Sequence, residues 1–198
     1  MHNPLNHLTL RTLGSLMLAL SPLAFPAAAM AEQPQTAPRP STARTEPAPL
    51  IDQVRRATER FRDLNVALAE GWVPATPCVS GPDAGAMGVH FVHPQPDRVG
   101  DGVLDADAPE FLIYEPLPGG AMRLVGVEFV VLAADWAHRH PKGGTPSLEG
   151  NLLNFVDAPN RYGLPPFYEL HVWAWENNPK GSFADWNTQV SCDRQPGN

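Results

Sequence analysis

Apolar residues recur at three- and four-residue steps over residues 50–70, the spacing that one face of an α-helix requires. Arginine and glutamate side chains fall between them, so the segment would have one apolar and one solvated face. Gly71 follows as a residue suited to ending a helix. The sequence therefore predicts an amphipathic helix over 50–70 with an apolar stripe of Ile51, Val54, Ala57, Phe61, Leu64 and Leu68.

Beyond Gly71 the pattern changes to short extended runs separated by glycine and proline. Strand character is found over 87–93, 110–115, 123–132 and 167–175, with 188–192 as a candidate edge strand. Short turns between runs favour antiparallel pairing. We therefore expect an α+β domain, with the N-terminal amphipathic helix packed on an antiparallel sheet of about four to five strands. A small, partly closed β-barrel is the alternative.

The long connection over 133–166 is less regular. A short helix is expected at 148–156, where Ser147 is suited to capping it. Connections of this length in compact domains often act as lids or binding loops.

The candidate site residues carry imidazole or carboxylate side chains and fall on predicted strands instead of turns: His90, Glu128, Glu169 and His171. Alternation along a strand places Glu169 and His171 on one side of the sheet, and Glu128 interrupts a run that is apolar on both faces. Imidazole nitrogen and carboxylate oxygen are ligands for zinc, iron, copper or manganese. The pattern predicts a site for a small molecule or a divalent metal ion, built from these four residues.

Other residues could belong to the same site. One histidine lies three residues after His90, so on a regular strand it faces the other way and would join only if the backbone bends at the next proline. Two more lie in the connection over 133–166 and would join only if it folds over the sheet. Two tryptophans share the predicted face of His171 and could line an apolar pocket. These residues are His93, His138 and His140 as further ligands, and Trp173 and Trp175 as pocket-lining residues.

Three functions are compatible with this pattern. The first is an exported protein that binds a small ligand or a divalent metal. The second is a metal-dependent hydrolase or oxygenase that uses the same residues. The third is a metal-free interaction module, in which Glu128 and His171 are buried and hydrogen-bonded to each other or to Arg161.

The chain begins with an apolar run that prolines interrupt and small residues follow, which predicts a secretory signal peptide over 1–31. Residues 32–49 are rich in proline and predict a disordered linker, and 50–198 would form a single globular α+β domain. We therefore expect a secreted or periplasmic protein with no stable membrane insertion after signal cleavage. A net charge of −7 without a basic cluster argues against nucleic acid as a partner.

Cys78 and Cys192 are the only cysteines of the chain. In an oxidising compartment we expect them to form a disulfide, with two free thiols as the alternative.

Several sequence blocks resemble those of exported bacterial proteins of unknown function. The resemblance extends over roughly 65–192 and implies export and a single domain, while it assigns no catalytic role. The blocks are GAMGVHF at 85–91, PEFLIYEP at 109–116, LVGVEF at 124–129, ELHVWAW at 169–175, NPKG at 178–181, DWN at 185–187 and SC at 191–192.

Overall fold

The computed structural model describes residues 49–81, 83–93, 95 and 97–195. The predicted signal peptide over 1–31 and all but the last residue of the predicted linker lie outside the described residues. That last residue, Pro49, begins the first helix.

The segment with the helical repeat forms two α-helices joined by a 3-10 turn, so the predicted helix over 50–70 is not continuous. At its break, the hydroxyl of Thr58 donates to the carbonyl of Val54 at 2.7 Å. Asp63 then caps the second helix, because its side chain accepts from the backbone N–H of Asn65 at 3.0 Å. The elements are α1 (Pro49–Thr58), the 3-10 turn (Glu59–Arg62) and α2 (Leu64–Ala69).

The rest of the chain consists of strands and short helices. The strands are β1 (Val73–Pro74), β2 (Val79–Gly81), β3 (Gly85–Val92), β4 (Phe111–Pro116), β5 (Met122–Leu132), β6 (Ser147–Leu148), β7 (Asn151–Leu152), β8 (Asn154–Val156) and β9 (Phe167–Val172). The helices are α3 (Asp97–Gly100) and α4 (Ala133–Arg139), and a second 3-10 turn spans Pro118–Gly120.

Seven of these strands form one antiparallel sheet in the order β1-β3-β4-β5-β9-β8, with β2 also paired to β3. Within the described residues β1 and β8 are not paired with each other, so the sheet is open and the barrel alternative is wrong. The sheet has more strands than predicted, because β1, β2 and β8 contain only two or three residues each and carry no detectable periodicity.

Neighbouring rows of residues across the sheet point to opposite faces. The row Phe91, Leu112, Val127 and Val172 belongs to the main hydrophobic core, together with apolar residues of α1 and α2. Hydrogen bonds also tie the N-terminal segment to this part of the fold. The Tyr114 hydroxyl donates to the Phe61 carbonyl at 2.6 Å, and the Trp175 indole donates to the Thr58 hydroxyl at 3.0 Å. The next row, Val92, Phe111, Glu128 and His171, faces the other side.

The helix predicted at 148–156 is wrong, because this segment forms a hairpin of β6 and β7 followed by β8. The two residues between β6 and β7 are Glu149 and Gly150, with φ values of 47° and 82°. Positive φ at both central residues is typical of the tight turn that joins antiparallel strands.

Two predicted strands also end differently. β9 stops at Val172, where the N–H of Ala174 bonds back to the Val172 carbonyl at 2.9 Å and turns the chain. The predicted edge strand over 188–192 is absent from the described residues. Just before it, Asn187 forms an isolated bridge with Ala86.

The predicted disulfide is present, with the Sγ atoms of Cys78 and Cys192 at 2.13 Å. It joins residues that are 114 positions apart and links the segment just before β2 to the end of the fold. Among the described residues, no helix combines the length and the apolar character needed to span a bilayer.

Candidate metal centre

Glu128 and His171 are neighbours because β5 and β9 pair with these two residues directly opposite each other. Directly opposed residues of an antiparallel pair point to the same face of the sheet. The Nε2 atom of His171 lies 3.9 Å from Oε1 of Glu128. Glu169 lies opposite Val130 in the same pairing, so its side chain joins this face as well.

His90 reaches the pair from β3, two strands away. It lies opposite Ile113, which in turn lies opposite Gly126, two residues before Glu128. Since Gly126 has no side chain, nothing from that position of β5 stands beside Glu128. The Nε2 atom of His90 lies 3.4 Å from Oε2 of Glu128, and the two imidazole rings are 5.8 Å apart.

Three of the four imidazole nitrogens of this cluster are buried without hydrogen-bond partners, and the fourth, Nδ1 of His90, lies 3.3 Å from the Thr76 hydroxyl. His90 is 2% exposed and His171 is 0% exposed. Among the described residues, Nε2 of His90 and both ring nitrogens of His171 have no hydrogen-bond partner. The hydrogen bond between Glu128 and His171 that a purely structural pair would require is therefore not formed, because 3.9 Å is beyond hydrogen-bond distance.

Burial shifts the titration of all these groups toward their neutral forms. It lowers the pKa of His90 to about 4 and the pKa of His171 to about 3, where nearby His90 adds to the effect. Burial, reinforced by Glu169, raises the pKa of Glu128 well above its ordinary value, and burial raises the pKa of Glu169 to about 7. Both imidazoles are neutral at pH 7, which is the form that ligates metals.

Asp185 completes the surroundings of His171, and the sequence pattern did not identify it as a site residue. Its Oδ1 lies 3.7 Å from Nδ1 of His171, on the other side of the ring from Glu128. Asn154 holds it from β8 by donating to Oδ1 at 3.2 Å. Two groups of potential ligands, each within 4.8 Å, therefore share His171: His90, Glu128 and His171, and Glu169, His171 and Asp185.

The structure does not bring the three additional histidines into either group. His93 has the opposite strand parity from His90, and its ring packs against Trp72 with ring centroids 5.3 Å apart. His138 is exposed on α4. His140 stacks on Trp136 at 3.6 Å, so the connection does not fold its histidines over the cluster.

A cavity of about 270 Å³ adjoins the cluster on the same side of the sheet. Trp173 and Trp175 are not among its lining residues, because β9 ends before them. The Trp173 ring lies 6.3 Å from the His171 ring, and Trp175 borders a different depression. The cavity is lined by Ala75, Thr76, His90, Val92, Val99, Phe111, Glu128, Val130, Tyr162, Leu164 and Phe167.

Comparisons of the chain with protein-family models, with curated proteins and with solved structures found no match. The resemblance to exported bacterial proteins therefore stays a prediction. The chemistry of the site rests on its own geometry: a buried group of histidine and carboxylate side chains that could hold a metal ion.

Proposed function

We propose that this chain is an exported protein that binds a divalent transition-metal ion through His90, Glu128 and His171. One observation carries the proposal: three buried residues offer ligand atoms within 4.8 Å of one another, and the Nε2 atoms of both histidines have no hydrogen-bond partner. An unsatisfied buried polar group is destabilising by about 1–3 kcal/mol. Buried polar atoms without a partner therefore need an explanation, and metal ligation would satisfy these imidazole nitrogens.

The separations of the ligand atoms support the same conclusion. Two atoms that each lie about 2.1 Å from a tetrahedral ion are about 3.4 Å apart. Nε2 of His90 lies 3.4 Å from Oε2 of Glu128, and Nε2 of His171 lies 3.9 Å from Oε1 of the same carboxylate. One ligand atom from each of the three residues lies within 4.8 Å of the others, so side-chain movements of about 1–1.5 Å would bring them to one ion.

Asp185 supports the proposal as the outer partner of His171. Metal-ligating histidines usually donate the N–H of their other ring nitrogen to a carboxylate or a carbonyl. Oδ1 of Asp185 lies 3.7 Å from Nδ1 of His171, which is beyond hydrogen-bond distance, so a small approach of the two groups on ion binding would form this contact and leave Nε2 for the ion on the Glu128 side. Asp185 is in this view a positioning residue and not a ligand.

Two imidazoles and one carboxylate suit zinc, iron, copper or manganese and leave at least one coordination position for another molecule. The disulfide between Cys78 and Cys192 supports the export part of the proposal, because disulfides persist in oxidising compartments.

Metal titration of the chelator-stripped protein tests the proposal. We expect one zinc ion per chain, and an affinity loss of more than about 100-fold in His90→Ala and in His171→Ala. Replacing zinc by cobalt(II) should give visible absorption bands that report the coordination geometry. His138→Ala is the matched control, because it removes an exposed histidine outside the cluster.

The proposal is wrong if the folded parent takes up none of the four metals, or if the two cluster variants bind zinc as tightly as the His138→Ala control. Near-ultraviolet circular dichroism establishes that each variant keeps its tertiary packing. Trp173 makes this signal local, because its ring stacks beside His171.

A metal-dependent hydrolase or oxygenase is the second candidate function. It is favoured by the cavity, whose wall includes two of the three proposed ligands, His90 and Glu128. A substrate there would lie beside the open coordination position. Zinc-dependent hydrolysis of phenyl esters, or oxygen consumption by the iron(II) form, would support an enzyme if His171→Ala abolishes it. If no metal form shows turnover and zinc still binds tightly, the enzyme hypothesis is wrong and the metal-binding function remains.

A further inference from the structure

Resting on the proposed metal site, we infer that the adjacent cavity binds a small apolar monocarboxylate, whose carboxylate completes the coordination of the ion. Four features of the cavity carry this inference: its walls, the position of its polar groups, its volume and its charge.

The walls of the cavity are mostly hydrocarbon. They come from the sheet face, from α3 and from the connection between β8 and β9. Aromatic rings form part of this surface, and the rings of Tyr162 and Phe167 meet edge to face at 6.0 Å. An apolar ligand gains binding free energy in proportion to the hydrocarbon surface that it removes from water. The apolar wall consists of Val92, Val99, Phe111, Val130, Leu164 and Phe167.

The polar groups of the cavity lie together, beside the proposed ion. Thr76 contacts His90, whose backbone N–H donates to the threonine hydroxyl at 3.2 Å, and His90 lies beside Glu128. Tyr162 already uses its hydroxyl, which donates to the Met87 sulfur at 3.3 Å. By contrast, Nε2 of His90 has no partner. A ligand would thus meet hydrocarbon along its body and one polar end.

The volume of the cavity, which is partly open to solvent, suits a small molecule. An apolar cavity of about 150 Å³ accommodates benzene, which has six non-hydrogen atoms. By proportion, 270 Å³ holds a molecule of roughly eleven non-hydrogen atoms. That is the size of a carboxylate joined to a phenyl ring through a two-carbon chain, or of a medium-length fatty acid.

Charge selects a carboxylate over an amine. A divalent ion held by two neutral imidazoles and the Glu128 carboxylate carries one net positive charge. The other two carboxyl groups of the cluster, Glu169 and Asp185, are not part of the cavity wall. A monoanionic head group therefore balances the charge of the ion and its three ligands, whereas a cationic head group would meet the charge of the ion itself.

Calorimetric titration of the zinc-loaded protein with 3-phenylpropanoate tests the inference. We expect one molecule per chain and at least tenfold weaker binding of 3-phenylpropan-1-ol, in line with the loss of a charge-assisted contact. Removal of zinc should weaken 3-phenylpropanoate binding by at least about tenfold, and 3-phenylpropylamine should not bind.

Two variants that fill the cavity show whether the ligand occupies it. Val92→Phe and Val99→Phe each place a ring in the cavity from a different element, and neither residue is a proposed metal ligand. Both variants should bind 3-phenylpropanoate more than about tenfold more weakly than the parent and retain one zinc ion per chain. Val103→Phe is the matched control, since it makes the same change at an exposed position outside the cavity.

The outcomes separate the two proposals. One zinc ion per chain with no 3-phenylpropanoate binding overturns the ligand inference and leaves the metal site standing. The inference is also overturned if both cavity-filling variants bind 3-phenylpropanoate as tightly as the parent. The same holds if 3-phenylpropan-1-ol binds as tightly as 3-phenylpropanoate. No zinc uptake by the parent overturns the metal site, and the inference that rests on it fails with it.

Discussion

The carboxyl group of Glu110 is buried just before β4 and should make stability depend strongly on pH. Its Oε2 accepts the N–H of Val130 at 3.0 Å, beyond the point where β4 begins and can pair with β5. Burial raises the pKa of Glu110 to about 8, an effect that backbone hydrogen bonds and Arg98 oppose and that Asp101 reinforces.

The sign and size of the effect follow from proton linkage. An exposed glutamate ionises near its ordinary pKa of 4.5, whereas the pKa of Glu110 in the folded protein is about 8. Between these values the folded state binds more protons than the unfolded state, so the free energy of unfolding falls as pH rises. Each pKa unit corresponds to about 1.4 kcal/mol, so full ionisation of folded Glu110 destabilises the protein by roughly 5 kcal/mol.

Glu110→Gln isolates this effect because the amide oxygen can still accept from Val130 and carries no charge. We expect the difference in free energy of unfolding between the variant and the parent to grow in favour of the variant by roughly 5 kcal/mol from about pH 4.5 to about pH 9. Urea unfolding in the presence of a chelator measures the difference, and other titrating groups cancel because both proteins share them. Glu149→Gln is the control at an exposed position. A difference between Glu110→Gln and the parent that stays constant with pH would refute the reasoning.

Three further predictions test the surroundings of the site. Asp185→Asn should weaken zinc binding by about tenfold in a chelator competition, because the carboxylate that orients His171 is lost, and an unchanged affinity would remove Asp185 from this role. Gly126→Ala should lower the free energy of unfolding by about 1–3 kcal/mol, because the new Cβ would lie 2.7 Å from the Val172 carbonyl oxygen; a neutral result in urea would show that β5 and β9 adjust. Cys192→Ser should lower the free energy of unfolding by about 5 kcal/mol, since the disulfide closes a loop over a separation of 114 residues; equal unfolding of parent and variant under oxidising conditions would contradict this.

Alternation along the chain predicted the long strands of the sheet because each buries side chains over many residues. β5 has eleven residues and β3 has eight, long enough for a period of two to be visible. Strands of two or three residues carry no such signal, and hydrogen bonds from the rest of the fold define them. The hairpin at Glu149 and Gly150 depends on two positive φ angles, of which only the glycine gave a hint.

Strand parity predicted only that Glu169 and His171 would share a face of the sheet. His90 and Glu128 lie beside them because of the order and register of β3, β4, β5 and β9, which alternation along a single strand does not determine. Asp185 could not be found in this way. It lies outside regular structure, and its distance from His171 depends on how the chain returns after β9. The cavity was missed for a related reason, because its outer wall comes from the irregular connection between β8 and β9.

In the described part of the chain, the ring nitrogens of His171 have no hydrogen-bond partner. The free energy of unfolding of a His171 variant therefore tests whether this residue binds a metal ion or only stabilises the core. His171→Leu removes both nitrogens and keeps a side chain of similar size. Replacing buried polar groups by apolar ones of like volume is often neutral or stabilising, so in chelator the variant should be at least as stable as the parent. Zinc at about 100 times its dissociation constant should stabilise only the parent, by about 2.7 kcal/mol. The order of stability would then reverse when zinc is added, as measured by urea unfolding, while His138→Leu would follow the parent. A histidine that only holds the core predicts a less stable variant in both conditions and no response to zinc.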